Sequence, residues 1–585
     1  MRTRRSRARI SLAVVAVFAI VAVFAVRLID IQLVQADELN AESLDKRAQS
    51  LTLYGVRGNI VDANGEVLAQ SVERYDITAS PRSALGRAEL NGSVAQALAD
   101  IAAITGQKPD ELMAALTADP ESDFAYLAKS VTLDVFHAVR DLDIPWVYFE
   151  LRPARTYPNG AIAGNLVGYL GTNGATGEGS GGLEYSENEC LASSDGEATF
   201  ERGEDGVQLP GSVVTVQEPQ DGGTLHLTID RDLQYYVQQR MVQTFNDLGA
   251  LWTIGVVMRV SDGALMAVAD YPSLDPNDVD NAPRNADGEL ILGSRAFTLP
   301  YEPGSIMKPL TAASLLDSGA ATVASQVVAP YRLYLSDGGN IKDAVPHPDE
   351  RLTLAGAIVE SSNTAVSQFS DLLDAQSRHD YMIDFGLGDY TEAGFLGEAA
   401  GTVHPADEWD VRTNYTVQFG QGMTATAIQM ASVFQTLGND GLRVPVKLTT
   451  GCERPDGTMT DVPGGESRQV VSASAAEQTV NMMEMVAQHS YSADDLTIPG
   501  YRVAAKSGTA EVAENGVYGN QSIISYVGLA PAEDPQYVVL VSAGLPRMDI
   551  SGKIAPTFRD VMAHVLTTYR VPPSTTPANQ LPLTW

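Results

Sequence analysis

The run from Ile10 to Val26, broken only by Ser11, restricts this chain before any other feature does. As an α-helix it covers about 25 Å, and Leu28 and Ile29 extend it if Arg27 snorkels, so a helix over residues 10–29 crosses a hydrocarbon core of roughly 30 Å. The preceding tail, residues 1–9, carries five arginines and no acid. That asymmetry places the tail in the cytoplasm and everything after about residue 30 on the far side of the membrane. A cleaved signal peptide is the competing reading, but the run exceeds the usual span of roughly 7–15 residues and no clear A-x-A site follows.

The remaining chain, out of 585 residues in all, is long enough for two or three domains with a sizeable core. Asp and Glu number 73 against 39 Lys and Arg, a net charge of −34, so the long-range field repels nucleic acid. Cys190 and Cys452 are the only cysteines. Outside the cytoplasm they can pair, but two cysteines define no framework, so free and bridged forms both stand.

After the anchor, GNIVDANGEVLAQS predicts a hairpin about Asn64-Gly65, a dipeptide that favours a type I′ turn. From Arg87 to Leu133 the spacing predicts short amphipathic helices, as in AQALADIAAI and ELMAALTA. A second unit begins near Gly222 with an alternating strand to Ile229, Asp230 as N-cap, and a helix. A hairpin about Asp262-Gly263 follows, and YRVAAKSGTAEV, SIISYVGLA and QYVVLVSAG predict three antiparallel strands near the far end. Helical stretches between these strand groups give an α+β fold, an antiparallel sheet flanked by helices. The expected layout is a tail over 1–9, a transmembrane helix over 10–29, an α+β module over 30–221, a catalytic unit over 222–571, and a Pro/Ser/Thr-rich segment over 572–585 without a core of its own.

Chemistry concentrates in YEPGSIMKPLT, where Ser305 and Lys308 precede Pro309. Proline is tolerated in the first turn of a helix but not in its interior, so Pro309 pins the helix start close to Ser305. The serine then lies at a helix N-terminus, where free N–H groups favour negative charge. Residues at i and i+3 share a face, so Lys308 can reach the Ser305 hydroxyl. To act as a base it must lose about three units from a pKa near 10.4.

Alone, S-x-x-K carries little weight, since average composition yields about two such hits by chance in a chain of this length. Two further motifs follow in order: Ser361-Ser362-Asn363 after the apolar helical run LTLAGAIVE, and Lys506-Ser507-Gly508-Thr509 after the strand-like YRVAA. S-x-x-K with S-D-N and K-T-G is the motif set of penicillin-binding proteins and class A β-lactamases. Here the second reads SSN and the third KSG, and neither change removes a functional group.

On these motifs the chain resembles a class B penicillin-binding protein, a membrane-anchored peptidoglycan D,D-transpeptidase, and most closely the division-specific FtsI type from an actinobacterium. The resemblance extends through VRGNIVDANGEVLAQS, GGLEYSEN, TLHLTID, VQFGQGMTATAIQM and IAPTFRDVM. It implies the penicillin-binding-protein transpeptidase fold on an N-terminal pedestal of the dimerisation type, held by a single transmembrane helix. It implies Ser305 as nucleophile, Lys308 as its base, Ser361 as proton relay to the leaving amine, Asn363 as ligand of the substrate amide, and Lys506 as electrostatic tuner. Ser507 and Thr509 would receive the donor's terminal carboxylate, with Gly508 allowing close approach, and the backbone N–H groups of Ser305 and Thr509 would form the oxyanion hole.

The implied substrates are peptidoglycan stem peptides on glycan strands derived from lipid-linked precursors, with β-lactams as covalent inhibitors and no cofactor or metal. A membrane-embedded glycosyltransferase of FtsW type and the division complex are the implied partners. An elongation-type transpeptidase, a D,D-carboxypeptidase or a β-lactamase-like hydrolase shares all three motifs, and a sensor or scaffold would use the same binding site without turnover. GEGSGG, with Gly177, Gly179 and Gly182, matches a dinucleotide fingerprint by letter but lies in a loop-like run with no helix pattern opening after it. The seven histidines lack ligand spacing, and Met482, Met483 and Met485 read as core.

Overall fold

The computed structural model describes residues 2–35, 48–86, 91–171, 179–201, 211–285, 288–514 and 517–585. They fall into two compact units, residues 1–56 with 193–221, and residues 57–192 with 222–585. Gly177 lies outside the described residues.

In the first unit α1 (Arg2–Ile29) is one unbroken helix with its apolar side chains exposed throughout, Leu12 at 75% and Phe18 at 70%. Residues Ala8–Gln32 are long and apolar enough to cross a membrane. An unbroken helix suits that role because hydrocarbon offers no partner for backbone polar groups. The unit also contains a three-stranded antiparallel sheet of Ala48–Leu53, Gly196–Glu201 and Val214–Gln217.

The second unit begins with the expected hairpin, Ile60–Val61 against Val67–Val72. The turn is not type I′, because φ is positive at Gly65 alone, whereas that turn needs two left-handed residues. Asp62 dictates the alternative: its carbonyl accepts from Gly65 N (3.1 Å) and its carboxylate from the N–H groups of Asn64 and Glu66 (both 2.8 Å). Helices Asn91–Thr105 and Pro109–Thr117 form as their spacing predicts. The helical reading fails over Ala125–Val131, which is a strand in a three-stranded antiparallel sheet with Tyr75–Ala79 and Val147–Leu151. Alternation within that segment is blurred by its half-exposed position, and pairing decides the outcome.

Two devices join this module to the remainder of its unit. A six-stranded sheet places Thr224–Leu227 between Ile60–Val61 and Thr449–Glu453. Cys190 and Cys452, both buried, form a disulfide, which settles the question the sequence leaves open. Within the module, buried Glu184 accepts from Arg57 Nε at 2.7 Å and Arg155 Nε at 2.6 Å, so the R-G and G-L-E segments are fastened by one carboxylate. A short helix, Gly182–Ser186, opens at Gly182, where the sequence pattern predicts none.

The main sheet has five antiparallel strands, β1 (Trp252–Arg259), β2 (Leu265–Tyr271), β3 (Ala504–Glu514), β4 (Val517–Ala530) and β5 (Tyr537–Leu545), in the order β2-β1-β5-β4-β3. The predicted hairpin about Asp262-Gly263 and the three strands near the far end therefore belong to one sheet, whereas the strand ahead of Asp230 pairs in the six-stranded sheet. Successive side chains of β5 enter opposite cores: Val538 and Leu540 pack on one face, Val539 and Val541 on the other. Burial on both faces explains its continuous apolar run. Helix α2 (Arg231–Leu248), capped by Asp230 as expected, covers one face together with the last helix, Ala555–Thr568.

Helices α3 (Lys308–Asp317), α4 (Leu354–Val359), α5 (Asn363–Ser370), α6 (Ala427–Gly438) and α7 (Ala473–His489) lie between β2 and β3 in the chain. Helix α6 packs on the other sheet face, and α3, α4, α5 and α7 share a second, mainly helical core. Met482, Met483 and Met485 are fully buried there and against the sheet, as their spacing predicts.

The disulfide closes a span of 262 residues, which restricts the unfolded chain. Replacing both Cys190 and Cys452 with Ser is expected to cost about 2–4 kcal/mol, read as a lower thermal midpoint of the detergent-solubilised protein. An unchanged midpoint would show that the bridge does not restrain the unfolded state.

Candidate active site

Ser305 lies in a 3₁₀ turn, Gly304–Met307, that runs directly into α3, with Pro309 in the first turn of the α-helix. The helix start therefore falls where proline chemistry predicts. Gly304 has φ +59°, donates its N–H to Gly420 O at 2.9 Å, and a Cβ on it would stand 2.7 Å from Thr509 O. From the other side, a Cβ on Gly508 would stand 2.9 Å from Pro303 O. The two glycines let the serine-bearing turn lie directly against β3. At Gly508 the missing side chain is thus used by the protein's own Pro303–Ile306 segment.

Lys308 and Lys506 are both fully buried. Lys308 Nζ donates to the Ser361 carbonyl, to Ser361 Oγ at 3.3 Å and to Asn363 Oδ1 at 2.8 Å. Lys506 Nζ donates to the same Ser361 Oγ at 2.9 Å and to Ser507 O at 3.1 Å. The three motifs thus meet at one hydroxyl. Among the described residues no hydrogen bond joins Lys308 to Ser305, so the contact allowed by their spacing is not made in this state.

Burial pushes Lys308 down to about 7, against the opposing pull of Asp343. The size of that displacement matches what the sequence demands of a base. Lys506 is held well below its ordinary value, first by burial and then by the neighbouring Lys308. Two ammonium groups crowded about one serine oppose each other's charge, so the pair holds fewer protons than two lysines in water.

Ser361 occupies the short link between α4 and α5 with φ +55°, a left-handed conformation that costs a serine about 1–3 kcal/mol. In this conformation both its carbonyl and its hydroxyl accept from Lys308. The apolar run LTLAGAIVE ahead of it predicts a loop position for Asn363, yet it is the first residue of α5; its Nδ2 donates to Lys342 O at 3.0 Å.

Asp343 anchors this link, and sequence reasoning missed it. Its carboxylate accepts from the Asn363 N–H, from Thr364 N at 3.0 Å, from Ser362 Oγ at 2.7 Å and from Thr364 Oγ1 at 3.1 Å, while His347 Nε2 stands 3.0 Å away. A carboxylate at the N-terminus of α5 satisfies orphan donors and opposes the helix dipole. Its only sequence mark is an acid after the short strand Asn340–Lys342, within NIKDAVPH, which resembles many polar loops. His347 is pulled down by burial but raised overall by hydrogen bonds to Pro348 O and Asp343.

Ser305, Ser361, Asn363, Ser507 and Thr509 line a common cleft of about 490 Å³. His347, Glu350 and Glu360 also line the cleft, and Tyr491 and Ile550 form part of its wall. A nucleophilic hydroxyl and a bridging hydroxyl lining one cleft, with two buried amines hydrogen-bonded to the bridging hydroxyl behind it, are the components of acyl transfer through a covalent intermediate.

The family model for the penicillin binding protein transpeptidase domain matches residues 253–563, and that for the penicillin-binding protein dimerisation domain matches residues 52–227. Penicillin-binding protein PbpB of Mycobacterium tuberculosis is 32% identical, over 99% of this chain and 87% of that protein. Peptidoglycan D,D-transpeptidase FtsI of Escherichia coli is 29% identical, over 93% of this chain and 89% of that one. The crystal structure of penicillin binding protein 3 from M. tuberculosis complexed with aztreonam superimposes with a TM-score of 0.70 at 26% identity, covering 92% of this chain and all of that one.

Asp343→Ala removes the acceptor of five protein hydrogen bonds. The expected cost is about 2–4 kcal/mol, with faster amide exchange at Asn363 and Thr364. Unchanged exchange at both amides would exclude Asp343 as the anchor of the link.

Proposed function

The chain belongs to the class B penicillin-binding proteins, of the FtsI and PbpB type, and on that premise we propose a role for each group in the cleft. The protein is a serine-type peptidoglycan D,D-transpeptidase of septal wall synthesis, inhibited by β-lactams. The observation that carries the assignment of roles is the meeting of Lys308 and Lys506 on Ser361 beside Ser305.

Neutral Lys308 takes the proton of Ser305 as Oγ attacks the carbonyl of the penultimate D-alanine. With a pKa near 7 in place of 10.5, about a thousandfold more of the lysine is neutral at pH 7. The Lys308–Ser305 contact need not be made beforehand, since catalytic hydrogen bonds often tighten only in the complex with substrate. The backbone N–H groups of Ser305 and Thr509 stabilise the oxyanion, each worth about 3–4 kcal/mol.

Collapse of that intermediate breaks the amide, and Ser361, hydrogen-bonded to both amines, passes a proton to the departing D-alanine nitrogen. Asn363 holds the donor amide, and Ser507 and Thr509 the terminal carboxylate, with Gly508 between them in β3. An amine from a second stem peptide then attacks the acyl-enzyme, forming the cross-link and returning the proton through the same groups. A D,D-carboxypeptidase or β-lactamase would use water at this step, and an elongation-type transpeptidase would run the same chemistry elsewhere in the cell.

In this reading residues 30–221 form the non-catalytic pedestal and 222–571 the transpeptidase domain, with residues 1–9 in the cytoplasm. Two independent features support that orientation: the five arginines ahead of α1, and the Cys190–Cys452 disulfide, which persists in oxidising compartments. A membrane glycosyltransferase of FtsW type and the division complex would engage the anchor and the membrane-proximal module.

Ser305→Ala is expected to abolish covalent labelling by a fluorescent penicillin without lowering the thermal midpoint; persistent labelling removes Ser305 as nucleophile. The acylation rate is expected to rise through a midpoint near pH 7, because protonation disables the base, and to fall about tenfold per unit well below it. A flat profile between pH 5.5 and 8 would exclude Lys308 as that base. A stem-peptide donor with an amine acceptor, assayed for cross-linked product, separates transpeptidase from hydrolase.

A further inference from the structure

Residues 572–585 have almost no regular structure and no core of their own, yet they lie along the catalytic unit from one motif-bearing element to another. At the first end, Ser574 N donates to Gly500 O (2.9 Å), Arg502 N to Ser574 Oγ (2.9 Å) and Arg502 Nη1 to Thr576 Oγ1 (3.0 Å). Gly500 and Arg502 lead directly into β3, which carries Lys506 to Thr509. At the other end the segment grips the start of α4. Thr353 is the N-cap of that helix, accepting from Gly356 N at 2.9 Å, and it donates its hydroxyl to Pro582 O at 2.6 Å and its N–H to Leu583 O at 3.1 Å.

Contact along α4 is closer still, since a Cβ on Gly356 would stand 1.9 Å from Leu583 O. Ala578, Leu581 and Leu583 pack against the core that contains Leu354, Ala355 and Ile358. Thr584 makes a bridge to Leu352, and the Arg351 guanidinium lies 5.0 Å from the centre of the Trp585 ring.

A six-residue helix is far too short to hold itself together, so the position of α4 is imposed by its contacts. After its C-cap Glu360 comes Ser361, whose left-handed conformation persists only where the surroundings over-determine it. We propose that residues 574–585 act as a positioning strap, fixing α4 against the start of β3 so that Ser361 meets Lys308 and Lys506 together. Among the described residues, none of the strap lines the cleft. It acts through the N-cap and first turn of the helix that delivers Ser361.

This inference rests on the acyl-transfer reading above, and its test keeps the two apart. Two membrane-anchored variants of the full chain are compared with the parent: one ending at Pro573, and Gly356→Ala in the intact chain. Labelling by a fluorescent penicillin is resolved into an affinity, a first-order acylation constant, the fraction labelled at saturation, and the pH midpoint of acylation. Misplacing Ser361 is expected to lower the acylation constant about ten- to a hundredfold at near-complete final labelling. It is also expected to raise the midpoint, because Lys308, whose charged neighbours are Asp343 and Lys506, loses part of the burial that depresses it.

A merely stabilising segment would reduce the labelled fraction and leave the constant and midpoint alone, and that result overturns the proposal. If the shortened chain does not fold, Gly356→Ala decides, since alanine favours the helix itself and only the contact with Leu583 is disturbed. An unlabelled parent protein would sink the enzymatic reading and this proposal with it.

Discussion

Two buried amines share one serine hydroxyl, and much of the catalytic unit is arranged to keep them there. Lys308 comes from the helix after Ser305, Lys506 from an edge strand, and Ser361 from a link between two short helices. Neither lysine could remain buried without hydrogen-bond acceptors, and Ser361 could not stay left-handed without neighbours that fix it. Asp343 holds the link from the start of α5. The site is therefore pre-organised from several directions, which is how a lysine displaced to about 7 can persist in a folded protein.

The same logic explains the glycines about Ser305. Gly304 and Gly508 bring the 3₁₀ turn against β3 at distances that exclude any side chain, so the two motifs approach through backbone contact. In the pedestal, Glu184 performs a related service between Arg57 and Arg155, and the buried disulfide fastens that module to the strand Thr449–Glu453. Both joints lie within the unit that carries the cleft.

Much of this was legible from local rules. Pro309 located the start of α3, Asp230 the start of α2, and the apolar runs of the last three strands their pairing, since each depends on nearest neighbours or on a short period. Local rules failed where a distant partner decided. Residues 125–131 became a strand because Tyr75–Ala79 offers an edge to pair with, and the Asn64-Gly65 turn took another form because the Asp62 carboxylate captures its N–H groups. Asp343 escaped notice for the same reason, since its partners lie about twenty residues away and its own surroundings look like any polar loop.

By itself the sequence determined the membrane helix, the order of the motifs, and the identity of the nucleophile and the two lysines as candidates. These follow from composition, spacing and proline stereochemistry, which act over a few residues. Tertiary structure alone decided that Lys308 binds Ser361 and Asn363 instead of Ser305, that Cys190 and Cys452 pair, and that residues 572–585 lie across α4. Burial, the displacement of a lysine's proton affinity, and the meeting of groups hundreds of residues apart are properties of the packed chain, because only packing removes water and sets distances between segments that do not adjoin.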